Sequence, residues 1–397
     1  MRFSLTARQA PDDGLARLCV HHPCGLALLA QSPMTPEPTV QESQAWLRKH
    51  ALVLLASFAV AGGFAWLLRV GALPVVPPRE AWQTVRAWVV VAYVALFIVL
   101  HLVRCSRWGL LIHKAERPSV WLTLWIGLVG YGALVVLPFR LGEAVRPALM
   151  RSRAKLPLGA SAGVVGAERI LDGLILSSIL LVALLSAERR SPLPERIGSL
   201  PIPASIIPSL AFGGVIVFGG LSLTMAAVYL FRQALVRAIE RHVSRLSPSL
   251  GHSAARVVAS VTSGFRFLSD KETAPRFASL TALYWLLNVG SVWLLLWGSG
   301  VQSPTLAEAS VILGVLGLGL VVPNAPGYFG TFQISAYSAM VLFYPLEVVT
   351  RAGSAFVFLL YVLQMVLTLA GAAVALFVRA EHRSIALSGI DGAPGQS

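Results

Sequence analysis

Leu137-Pro138-Phe139-Arg140-Leu141-Gly142-Glu143-Ala144-Val145-Arg146-Pro147 follows a long apolar run and sets two prolines, a glycine, two arginines and a glutamate within eleven residues. About one apolar run later the sequence is broken again, by Glu168, Arg169 and Asp172. An ionised group in hydrocarbon costs several kcal/mol unless it is paired or watered, so charges at this depth mark a site. In the other half of the chain Val322-Pro323-Asn324-Ala325-Pro326-Gly327-Tyr328-Phe329-Gly330-Thr331-Phe332-Gln333 interrupts a second apolar run. The lead-ins are alike, with Gly130 and Gly132 before Pro138 and Gly317 and Gly319 before Pro323. Two Gly/Pro-broken hydrophobic segments at corresponding places in two halves are the pattern of a transporter-type binding site.

Composition sets the frame. The chain of 397 residues is 56% hydrophobic with a mean hydropathy of +0.73. Its charged share of 13% is about half that of a soluble domain. Apolar runs of bilayer length recur, so this is an all-α polytopic membrane protein. The net charge of +14 sits in short loops between apolar runs, which indicates membrane topogenesis and anionic headgroups rather than nucleic acid. Cys19, Cys24 and Cys105 suggest neither a disulfide framework nor a metal site, and His101 and His113 are isolated. No Gly-rich phosphate loop with a lysine is present to drive pumping with ATP, and no cofactor or metal is expected. Paired acids could perform acid/base chemistry, but they have no nucleophile beside them, so the chain is not expected to be an enzyme.

Residues 1–45 are Pro-rich and polar and read as a disordered tail, with Met34 as the expected true start. A transmembrane domain is expected over 46–380 and a disordered tail over 381–397. Six full spans are expected at 50–69, 88–103, 160–186, 208–231, 277–299 and 351–378. The segments 119–150 and 307–343 hold the broken stretches. The 104–118 loop carries Arg104, Arg107, Lys114 and Arg117, and the 139–158 segment carries five basic residues. Both belong on the cytoplasmic side only if 119–138 dips in and returns. Loop 232–276, with eight basic residues, then falls inside, and loops 300–306 and 344–350, with none, fall outside. Loop 187–207 is a mild exception. The second broken segment dips from the outer face, giving two inverted re-entrant hairpins in pseudo-symmetric halves that face a shared interior. Both termini are expected to be cytoplasmic. Within 232–276, Leu235, Ile239 and Val243 oppose Arg237, Arg241 and Arg245, the pattern of a basic amphipathic helix on the membrane surface.

Glu168 and Asp172 share a helix face, and Arg169 is placed to pair with Asp172. With Arg140, Glu143 and Arg146 these six charges sum to zero. They form either a self-neutralised lock between hairpin and helix or a clamp whose arginines bind a phosphate. In the second hairpin Gly327 and Gly330 would admit a ligand close to the backbone, or a tight helix crossing. Asn288, Gln333 and Gln364 are expected to hydrogen-bond between helices.

The ordered set Pro138, Arg140, Gly142, Glu143, Arg146, then Glu168, Arg169, Asp172, then Pro323, Pro326, Gly327, Gly330 resembles the lysylphosphatidylglycerol synthase transmembrane-domain family, also called flippase-like. The likeness covers about 50–380. It implies an integral protein of a bacterial or archaeal cytoplasmic membrane that handles lipid. Members often carry a glutamate where this chain has Gln333, and a polar residue where it has Leu134 and Val135. The soluble synthase domain of the bifunctional members is not expected here. The expected function is translocation or binding of an anionic phospholipid or polyprenyl-linked lipid. The alternative is a non-transporting scaffold that presents lipid to a separate lipid-modifying enzyme. Single cysteines placed in a cysteine-free background should be shielded from an impermeant external reagent at position 155 and labelled within 344–350. External labelling at 155 would overturn the first hairpin.

Overall fold

The computed structural model describes residues 55, 59–116, 118–191, 196, 199–200, 205–245, 247–322 and 325–391. The expected N-terminal tail, Met34, Pro323, Asn324, Lys-free 392–397 and the start of the first expected span lie outside the described residues. The chain is a multi-pass, all-α membrane protein. Among the described residues five helices are long and apolar enough to cross a bilayer. They are α3 (Ala87–Glu116), α6 (Leu158–Ser186), α7 (Ile206–Leu230), α10 (Thr273–Gly298) and α14 (Ala352–Asp391). A shorter apolar helix α1 (Ala59–Val70) falls within the first expected span, and α2 (Arg79–Trp82) follows it. Helix α14 continues to Asp391, into the segment expected to be a disordered tail from 381. The segment after 378 contains no proline before 391 to stop it.

The first correction concerns α3. A loop was expected at 104–118, yet the helix runs to Glu116 and carries Arg104 and Arg107 inside it. Trp108, Leu111 and Ile112 continue the apolar pattern beyond these arginines and are buried. The helix stops only ahead of Pro118, which cannot continue a helical ladder and restricts its predecessor. Ser119 then caps α4 (Val120–Val136), its hydroxyl accepting from Leu122 N at 3.2 Å.

Both broken segments fold as hairpins. Helix α4, with 17 residues, is only about 25 Å long at 1.5 Å per residue, short of the ~30 Å hydrocarbon core. At its end Leu137 is extended, and Phe139 and Arg140 take left-handed φ values of 51° and 60°. The chain reverses through Pro138–Ala144 and returns as α5 (Val145–Ala154), packed along α4. Gly142 makes the reversal possible, because a Cβ there would strike the carbonyl of Ala133 and the amide of Leu134. The second hairpin begins with α11 (Leu306–Gly319), whose start is closed by a reciprocal cap. Glu308 N donates to Thr305 Oγ1 at 3.2 Å, and Thr305 N donates to Glu308 Oε2 at 2.8 Å. A turn with positive φ at Gly327, Tyr328 and Gly330 leads into α12 (Thr331–Met340), which packs back on α11. The short α13 (Leu346–Thr350) connects it to α14.

Hydrogen bonds between helix ends fix the two faces of the bundle. Thr84 Oγ1 donates to Ser299 O at 2.8 Å, Arg190 N to Leu342 O at 3.0 Å, and Tyr344 Oη to Glu308 Oε2 at 2.7 Å. The start of α3, the ends of α6 and α10, and the start of α11 therefore share one face. The end of α3 and the segment before α10 share the other, where Trp108, Ile112, Phe265 and Phe277 form one core cluster. Hairpin α4–α5 enters from that second face and α11–α12 from the first, so the two are inverted. The main core joins α3, α6, α10, α11, α12 and α14 through Tyr93, Leu180, Leu296, Ile312, Phe332 and Phe356. The outer surface is apolar: Trp121, Leu185 and Leu223 are 80%, 79% and 74% exposed, as lipid-facing positions require.

On the basic face α8 (Arg232–Val243) carries no fully buried residue. Its Leu235, Ile239 and Val243 row is half-buried and its arginine row exposed, with the helix folded against α9 (Pro248–Ser263). Part of the apolar row is thus covered by protein rather than left for the bilayer. Replacing Gly142 by alanine should cost about 1–3 kcal/mol of stability, the scale of overpacking. A lowered thermal unfolding midpoint in detergent checks this, and an unchanged midpoint would show that the hairpin turn is not as tight as described.

Candidate functional site

The charged residues converge where three elements cross: α3, α6 and the first hairpin. Arg107 is fully buried and reaches from α3 to α6. Its Nη1 and Nη2 donate to Asp172 Oδ1 and Oδ2, each at 2.6 Å, and Nη2 also donates to Glu168 Oε1 at 3.1 Å. From the other side Arg146 of α5 donates through Nη1 to Glu168 Oε2 at 2.8 Å and to Tyr131 Oη at 3.3 Å. Glu168 is therefore shared by two arginines, and neither it nor Arg146 retains any exposure. Gly130 lets Arg146 in, since a Cβ at Gly130 would overlap the Arg146 side chain.

A second group lies at the hairpin tip. Arg140 Nε donates to Glu143 Oε1 at 3.0 Å, with Nη2 on the same oxygen, and Arg140 Nη1 donates to the carbonyl of Leu320 at 2.7 Å. Leu320 follows α11, so this one guanidinium ties the tips of both hairpins together. Arg169 was expected to pair with Asp172. Its Nε instead lies 4.0 Å from Glu143 Oε1, and Arg107 occupies Asp172 with both prongs of its fork. The two ion pairs of the tip are about three-quarters shielded, unlike the dry pairs behind them.

These two groups wall a cavity of about 390 Å³ that both hairpins close. Arg140, Glu143, Arg169 and Asp172 line it, while Arg146 and Glu168 stand behind the wall. Arg104 and His101 also line it, and neither was recognised as a site residue. Among the described residues Arg104 has no carboxylate at ion-pair distance. Its guanidinium carbon lies 3.8 Å over the ring of Tyr131, whose ring also faces Arg146 at 4.9 Å. Arg104 Nε and Arg169 Nε and Nη2 are buried without a hydrogen-bond partner. With Arg104 and Arg107 included, five arginines face three carboxylates, so the balance of six charges becomes a surplus of two positive charges. The pattern that reveals them is the apolar Trp108 to Ile112 run beyond them, which extends the helix past a stretch whose basic residues alone read as a loop.

The second hairpin contributes Leu320, Val321 and Tyr328 to the cavity. Pro138 and Gly142 are buried in the first turn, and Pro326 opens the second. Gly327 and Gly330 do not line the cavity. A Cβ there would meet Tyr361 and Phe64 respectively, so both glycines allow close packing at the second turn. Gln333 is buried and accepts from Gly330 N at 2.7 Å, closing the start of α12. Gln364 Nε2 donates to Tyr93 Oη at 3.2 Å between helices, as expected. Asn288 Nδ2 instead donates to Tyr284 O at 2.8 Å within its own helix, because that carbonyl lies one turn back. Among the described residues no cluster of His, Cys, Asp and Glu has metal-binding spacing.

Removing one partner of a buried ion pair leaves an uncompensated charge. Arg107→Gln should therefore cost about 3–5 kcal/mol, and adding Asp172→Asn should restore part of it. Arg140→Gln, at the more open tip, should cost about 1 kcal/mol. Thermal unfolding of the purified proteins compares them, and an Arg107→Gln midpoint equal to wild type would refute the lock.

The family model described as "Lysylphosphatidylglycerol synthase TM region" matches residues 54–371, most of the chain. No curated protein and no solved structure gives a significant match. The matched range includes both hairpins and every charge of the cavity, and the chain belongs to the lysylphosphatidylglycerol synthase TM-region family of membrane proteins, which is linked to lipid handling.

Proposed function

We propose that this chain is a translocase that moves an anionic phospholipid or polyprenyl-linked lipid across the cytoplasmic membrane of a bacterium or archaeon, with both termini in the cytoplasm. One observation carries the reading: the charged cluster in and behind the wall of a cavity between inverted hairpins has two more arginines than carboxylates, and the cavity lining itself has three arginines to two carboxylates. In a low-dielectric site such a surplus invites an anion, and the planar arginine fork suits a phosphate.

The roles divide by pairing. Arg107 and Arg146, dry and engaged with Glu168 and Asp172, form the lock. Arg104 and Arg169, which line the cavity and each carry a buried donor without a hydrogen-bond partner, are the phosphate-binding pair. Arg140 belongs to both, since it closes the tips through Leu320 O and can turn a donor to a headgroup when that contact opens. Each charge-assisted hydrogen bond so gained contributes about 1.5–3 kcal/mol, net of the water contact it replaces. Arg151 and Arg153 follow on α5 towards the basic face and extend the positive path.

The two parts of the earlier choice, lock and clamp, thus apply to different arginines. Arg104→Gln and Arg169→Gln should unfold near the wild-type midpoint yet accelerate the exchange of fluorescent phosphatidylglycerol between leaflets of reconstituted vesicles about tenfold less than wild type. Wild-type exchange no faster than in protein-free vesicles, together with retained co-purified lipid, would instead favour a scaffold that presents lipid without moving it.

A further inference from the structure

A second cavity, of about 740 Å³, lies between α6 and α10. Its wall is almost wholly apolar. On α6, Leu171, Ile175 and Ile179 face it at a spacing of four, while Asp172, the neighbour of Leu171, faces the charged cavity. One helix thus separates an aliphatic groove from an ionic chamber. Trp285 of α10 lines both, so the two spaces adjoin at that indole.

Three polar groups break the apolar wall; Ser310 Oγ donates to Leu306 O at 2.7 Å, and the other two are unpartnered. Trp285 and Thr281 are 9% and 4% exposed, and Trp285 Nε1 and Thr281 Oγ1 have no hydrogen-bond partner. They are four residues apart, on one face of α10. A threonine in a helix usually satisfies its hydroxyl on the carbonyl one turn back, as Thr224 does here with Gly220 O at 2.8 Å. Thr281 does not, which leaves two unpartnered donors on one face of α10, Thr281 in the groove wall and Trp285 at the boundary of the two cavities.

We propose that the groove holds one acyl chain of an ester-linked glycerolipid, with the ester carbonyl accepting from Trp285 and Thr281. The inference rests on the reading that the charged cavity takes the lipid's phosphate. A diacyl phospholipid presents three chemistries in order: an anion, an acceptor carbonyl, then hydrocarbon. The protein presents the complementary series: the Arg104 and Arg169 guanidiniums, two unpaired donors, then an aliphatic groove. An isoprenoid phosphate has no acceptor between its anion and its hydrocarbon and would leave both donors unmet, so the site selects glycerolipids.

The test uses the full chain in phosphatidylcholine vesicles containing phosphatidylglycerol with a diazirine in the middle of one acyl chain. Irradiation, digestion and mass spectrometry then locate the adducts. They should concentrate on 171–179 and 278–289. Ala282→Trp, which fills the groove from an exposed position, should reduce them about tenfold. Trp285→Phe should lower the yield with the ester-linked probe while leaving that of its ether-linked counterpart unchanged. Adducts spread over the outer helices and indifferent to Ala282→Trp would overturn the groove, and equal response of the ester and ether probes would overturn the carbonyl contact. Arg104→Gln separates this proposal from the one beneath it. Adducts that stay on the two segments at undiminished yield in that variant would uphold the groove and refute the phosphate site. Adducts that diminish but fall elsewhere would do the reverse.

Discussion

The structure depends on Arg107. It is a permanent cation with no exposure, inside a helix apolar enough to span a bilayer, and it is tolerable there only because α6 delivers Asp172 and Glu168 to it. Arg146 takes the remaining oxygen of Glu168 and brings the first hairpin into the same bond network. Three separate elements are thus held in one arrangement by charges that cannot be left alone in a low-dielectric interior. Such a network adds little net stability over a hydrocarbon core. Its contribution is register: sliding α6 by one turn against α3 would leave charges facing hydrocarbon.

That rigidity makes the looser neighbours informative. The Arg140 pair with Glu143 is partly open, and the same arginine bonds a carbonyl of the opposite hairpin. Strained left-handed backbone at Phe139 and Arg140 on one tip faces Tyr328 and Gly327 on the other. Non-regular backbone survives at membrane depth only when protein or a watered cavity surrounds it, and here the cavity between the tips provides that shelter. A fully buried lock beside a partly exposed tip is an arrangement in which the tip can move while the bundle holds.

The two cavities also divide by solvent character. Ionic groups collect on the faces of α3 and α6 that meet the hairpins, and aliphatic groups on the face of α6 that meets α10. Trp285 stands at the boundary, an amphipathic ring with one polar edge, which suits a position between chambers of unlike polarity. Gly327 and Gly330, expected to admit either a ligand or a tight helix crossing, allow Tyr361 and Phe64 to approach the second turn.

Local sequence alone determined the membrane class, the five long spans seen among the described residues, and the position and inversion of the two hairpins. Those features follow from hydropathy, helix-breaking residues and loop charge, which act on neighbours in the chain. Sequence also marked Arg140, Glu143, Arg146, Glu168, Arg169 and Asp172 as one charged cluster, because charge in an apolar run has few ways to be accommodated. Only the tertiary structure decided the partners. Glu168 and Asp172 lie 61 and 65 residues from Arg107, and whether an arginine at the end of an apolar run is a loop anchor or a buried bridge depends on a carboxylate that another helix brings within 3 Å. The same holds for Arg104, which among the described residues meets the ring of Tyr131 rather than a carboxylate because of everything packed around it. Chain order records which charges exist, and the helix crossings determine which of them are paired.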